Sequence, residues 1–90
     1  YPLDCAVQCA VNPPGDVTTR TYKELIALLL LNGATDYHGS IIAENITTNT
    51  KKVLDLHNNN DLNCIQKAIM QTDLEDIIIC DDKTLTIRIN

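Results

Sequence analysis

Residues 61–72 read Asp-Leu-Asn-Cys-Ile-Gln-Lys-Ala-Ile-Met-Gln-Thr, and the rest of the chain is organised around them. Leu62, Ile65 and Ile69 recur at the spacing of one helical face, with Cys64 and Ala68 beside them. Asn60 or Asp61 supplies an oxygen for the orphan amides of the first turn, so the pattern predicts a helix with a defined start. Cys64 then lies on the buried edge of that helix, where a cysteine can tie it to another segment.

Reading outward from this helix, both flanks look like sheet. Upstream of the polar Asn58-Asn59-Asn60 loop, residues 52–56 and 40–47 read as two arms of a hairpin around Thr48-Asn49-Thr50, because Ile and Thr dominate the first arm. A helix from Thr50 to Leu56 is the alternative. Ile42, Glu44 and Ile46 alternate with Ile41, Ala43 and Asn45, so both faces are partly apolar and the pattern does not choose the buried one. Downstream, Asp73 to Asp76 end the helix, Ile77-Ile78-Ile79-Cys80 has strand propensity, and residues 84–89 alternate again. Asp81-Asp82-Lys83 makes a tight connection between these two.

The N-terminal half carries one strand and one helix on the same reading. Cys5, Val7, Cys9 and Val11 alternate with Ala6, Gln8 and Ala10, the period of a half-buried strand; the alanines make an N-terminal helix the runner-up. Asn12-Pro13-Pro14-Gly15 is a firm break. Thr21-Tyr22-Lys23-Glu24 matches a capping box, and the uniformly apolar residues 25–31 followed by Asn32-Gly33 predict a largely buried helix over 22–32. Within it Leu28, Leu29, Leu30 and Leu31 are candidates for core, and alternatively for a partner surface or ligand wall.

The resulting order, strand–helix–strand–strand–helix–strand, predicts one α+β domain over residues 1–90. Its expected form is a disulfide-stabilised two-layer α/β sandwich, with a mostly antiparallel βαββαβ-like sheet and two helices on one face. In element order this is similar to the small secreted α/β killer-toxin and fungal effector folds, with no motif that aligns.

Composition points the same way. The 90 residues contain no Phe or Trp and three Tyr, so the core is built from Ile and Leu and has few large anchors. Four cysteines, Cys5, Cys9, Cys64 and Cys80, favour two disulfides and an oxidising compartment. On a strand Cys5 and Cys9 lie about 13 Å apart, too far to bond each other, so each is expected to pair with Cys64 or Cys80. Four reduced, buried thiols are the alternative; zinc is disfavoured because Cys64 and Cys80 are too widely spaced to form a knuckle. A start at Tyr-Pro-Leu-Asp fits a processed chain whose signal peptide has been removed, hence secretion. The net charge of −5 makes nucleic acid and anionic membranes poor partners, and no apolar run is long enough to span a bilayer.

Sites of chemistry are few. Ser40, the one serine, lacks a nucleophile-elbow context, and a small hydrolase site would need it to meet Asp36 and His38 in space. Asp73, Glu75, Asp76, Asp81 and Asp82 form an acidic set without calcium-loop spacing. No cofactor is expected. Asn45-Ile46-Thr47 is a glycan acceptor sequence; using it would turn Glu44 inward, where it would need a partner. Lys51 and Lys52 read as a solubilising edge or a contact for an acidic partner.

These features predict a non-enzymatic secreted binding protein, toxin- or effector-like, acting on another macromolecule: a sister chain or a cell-surface target. The alternative is a carrier of a small apolar ligand between Leu28–Leu31 and the 62–69 stripe, which would be similar to the secretoglobins in size and cysteine placement. The chain departs from that family in its Thr/Ile-rich strands and its Cys5, Cys9 pair.

Overall fold

The computed structural model describes residues 2–15, 18–34, 39–47, 49–81 and 83–90. Two helices come first, α1 (Pro2–Val11) and α2 (Thr19–Leu31). A hairpin of β1 (Ile41–Thr47) and β2 (Thr50–Leu54) follows, then α3 (Asn59–Gln71), the single turn α4 (Leu74–Ile77), and the hairpin β3 (Ile78–Asp81) and β4 (Thr84–Ile89). The strands form one sheet in the order β2-β1-β4-β3. Its two outer pairings are antiparallel and its central pairing, β1 with β4, is parallel.

The expected fold is therefore corrected in three respects: the described chain has four helices rather than two, the sheet is mixed, and no disulfide stabilises it. The main error lies at residues 3–11, which are helix rather than strand. Counting the cysteines as core residues produced the alternation. The buried apolar residues are in fact Leu3, Ala6, Val7 and Ala10, at helical i, i+3, i+4, i+7 spacing. The alanines are strong helix formers, and they bring α1 close against α2, its most extensive helical neighbour. Cys5 and Cys9 consequently sit one turn apart on one helix. All four cysteines are free thiols, Cys5 exposed and the other three partly buried.

Helix α2 starts earlier than the 22–32 reading. Thr18 is its N-cap and its hydroxyl accepts from the Thr21 amide, whereas Glu24 pairs with Arg20 instead of closing a capping box. Its end is as the glycine suggests. Gly33 adopts φ +81°, its amide donates to the Leu30 carbonyl, and the Ala34 amide donates to Leu29, which satisfies two carbonyls the last turn leaves open. Helix α3 matches the 61–72 stripe, with Ile65 and Ile69 buried, and begins after Asn58, whose Oδ1 accepts from the Asn60 and Asp61 amides.

Packing is one-sided. Ile41 and Ala43 of β1, Leu85, Ile87 and Ile89 of β4, and Ile78 of β3 share one face of the sheet and join Leu3, Val7, Ile26, Leu30 and Ile65 of the helices in a single aliphatic core. The helices all serve that face. Lys23 is the one lysine buried in this layer, and its Nζ lies 3.0 Å from Oε2 of Glu75 on α4.

Candidate functional site

The strand period places Ile42, Glu44 and Ile46 of β1 on the face away from the helices. The pairings put them in rows across the sheet. Ile42 stands beside Thr86 of β4, which stands beside Ile79 of β3. One step along the strands, Val53 of β2, Glu44 and Arg88 make a second row, and Lys51 lies beside Ile46 in a third. Among the described residues no helix covers these rows. Ile42 is 48% exposed and Val53 72% exposed, both high for β-branched residues in a sheet.

Glu44 is the exception on this face, at 3% exposed. Arg88 Nε donates to its Oε1 at 2.8 Å, and Lys51 Nζ stands 3.0 Å from its Oε2. Both cations cover the carboxylate from outside, leaving their own side chains 46% and 63% exposed. Their hydrogen bonds hold the Glu44 carboxyl below the ordinary glutamate range, against the opposing effect of its burial. The cluster has two positive charges for one negative, so it is a positive spot on a chain whose formal charge is −5.

The other sequence-derived candidates are dispersed by the fold. The leucine run divides around α2: Leu30 is fully buried, Leu29 is partly so, and Leu28 and Leu31 are 57% and 38% exposed. With Leu25 they leave an outer apolar strip. Leu30 and Ile65 belong to one closed core, and Gln66 Nε2 donates to the Leu30 carbonyl at 2.8 Å. The α2–α3 contact is thus filled by the protein's own side chains where a carrier would hold its ligand.

Asp36 and His38 lie outside the described residues, as does Asp82; Ser40 donates to Asp4 Oδ1 at 3.4 Å. The acidic set is split among separate tasks. Asp73 caps α4, and Glu75 pairs with Arg20 and Lys23. Asp76 lines a cleft of about 240 Å³ together with Cys64, Lys67 and Ile89, and Asp81 ends β3. Among the described residues no group of three or more His, Cys, Asp or Glu side chains could hold a metal ion. Asn45 is partly buried on the helix-side face beside Ile89, and its Oδ1 is enclosed without a hydrogen-bond partner among the described residues. Burial pushes the pKa of the Cys80 thiol up, and that of the Tyr22 phenol is raised by its own burial and by the adjacent Cys9.

Sequence reasoning identified Glu44's need for a partner but missed Arg88 and the open face. The signal was present in Arg88 flanked by Ile87 and Ile89, an alternation that turns the arginine away from the core. Its partner could not be read, because the parallel β1–β4 register that pairs residues 44 and 88 is a tertiary fact. Among the described residues, no helix is long and apolar enough to cross a membrane. No protein-family model, curated protein or solved structure matches the chain.

Proposed function

We propose that this domain is a non-enzymatic binding module whose contact surface for another protein is the open face of its sheet. The observation that carries the reading is the exposure of Ile42 and Val53 on a sheet face that none of the described helices covers. Exposed apolar side chains grouped on one rigid face are the usual ground of a recognition surface. A sister chain or a cell-surface protein fits this class of partner. Binding through the sheet needs no oxidised cysteine and operates in either redox compartment. The small-ligand carrier has less support, since Leu30 and Ile65 are both buried in the core that would have to open.

The exposed strip of Leu25, Leu28 and Leu31 on α2 supports a second contact reading. One experiment separates the two. The wild-type domain, Ile42→Ser/Val53→Ser and Leu25→Ser/Leu28→Ser are immobilised and compared for retention of one purified binding protein. Loss with the sheet variant alone is the expected result. Loss with the α2 variant alone would move the surface to the helix, and equal retention by all three would reject both faces.

A further inference from the structure

We infer that the open sheet face accepts an acidic, apolar peptide segment of a partner protein, its carboxylate held between Arg88 and Lys51 and its apolar side chain on the Ile42–Thr86–Ile79 row. This rests on the reading of the sheet face as the contact surface and adds the chemistry of its occupant.

Charge is the first ground. Arg88 and Lys51 share one carboxylate, so one positive charge in the cluster is uncompensated. Arg88 meets Glu44 through Nε, and among the described residues its two terminal nitrogens carry no hydrogen bond. Those nitrogens can bind a carboxylate end-on through two parallel N–H···O bonds. A second carboxylate on the solvent side completes the cluster without displacing Glu44.

Spacing is the second. The apolar row and the row holding Arg88 are two residues apart along β4, about 6.7 Å at ordinary strand rise. An extended segment places side chains i and i+2 at that separation, and a helix places i and i+4 about 6 Å apart. An apolar residue and an acidic residue at either spacing therefore reach both rows together.

Size and charge argue against a second copy as the occupant. Four strands of four to seven residues, at about 4.8 Å spacing and about 3.3 Å rise, give a projected footprint of roughly 350 Å². A stable protein pair buries about 800 Å² on each partner. Two copies would also oppose their uncompensated clusters while each carries a net −5.

The probes are two synthetic ten-residue peptides, one alternating leucine with glutamate and its twin with lysine in place of glutamate. Each is titrated into the ¹⁵N-labelled domain at low salt while backbone amide shifts are followed. The expected result is saturable shifts centred on Ile42, Glu44, Thr86 and Arg88 with the glutamate peptide only. Affinity should fall about fivefold in Arg88→Gln, the size of one exposed charge pair, and weaken as salt is raised. Since Arg88→Gln removes a partner from buried Glu44, Lys51→Gln is measured beside it; that variant keeps the 2.8 Å contact and cancels the same excess charge. Equal shifts with both peptides would overturn the acidic specificity and leave the sheet-face reading standing. Shifts confined to α2 would overturn both. Shifts at the sheet that depend on protein concentration alone, with a two-chain mass by sedimentation, would replace the peptide by a second copy. No response at the sheet to either peptide would also reject the inference.

Discussion

Truncating Leu30 and Leu28 separately tests how the fold sorts a run of four leucines that differ in nothing but their angle around a helix. Leu30 is fully buried and Leu28 is 57% exposed. Leu30→Ala removes three carbons from a filled site, so it loses their transfer free energy and leaves a cavity; such changes cost about 2–5 kcal/mol. A chain of 90 residues has a total stability of roughly 5–13 kcal/mol. The single change thus removes a quarter or more of it over most of that range. Leu28→Ala forfeits the burial of less than half a side chain and gains slightly in helix propensity, for a net loss below about 1 kcal/mol. Urea unfolding followed by far-ultraviolet circular dichroism reads the difference. With a slope near 1.3 kcal/mol/M, about that of a small domain, Leu30→Ala lowers the midpoint by about 1.5–4 M and Leu28→Ala by under 1 M. Equal shifts, or a larger one for Leu28→Ala, would refute the assignment of the buried side of α2 and with it the placement of the core.

The Glu44 cluster predicts a pH dependence. Its folded pKa lies below the ordinary glutamate value of 4.5, so its contribution is complete above that value and is lost as pH falls through the lower, folded one. Urea midpoints measured between pH 7 and pH 3 should fall more steeply for wild type than for Glu44→Gln; parallel curves would contradict the pairing. Four thiols should titrate in the denatured protein, and a reducing agent should leave the unfolding midpoint unchanged, because the cysteines are free. In a timed alkylation read by peptide mass, exposed Cys5 should react well before Cys80, whose thiol is partly buried and raised. Asn58→Ala should lower stability by about 1 kcal/mol, since it withdraws the oxygen that accepts two first-turn amides of α3; an unchanged midpoint would mean that water caps the helix as well.

What the amino-acid order determined by itself is local. The Leu62, Ile65, Ile69 stripe specified α3, Gly33 specified the end of α2, and the β-branched residues of 41–47 and 84–89 specified their strands. Each of these follows from near neighbours: a helical face repeats every three or four residues, a positive φ favours glycine, and a strand shows its period within six residues. Residues 3–11 satisfied two periods at once, and only packing decided between them, because the Leu3, Ala6, Val7, Ala10 face has α2 to lie against. The buried face of β1 was likewise undetermined, with isoleucine on both sides. Tertiary structure resolved it by laying all the helices on one face and by setting β1 parallel to β4 in the register that joins Glu44 to Arg88. That contact spans 44 positions of chain. A charge pair of this kind leaves no periodic trace in the sequence, since its energy depends on a register set by every strand between the two residues.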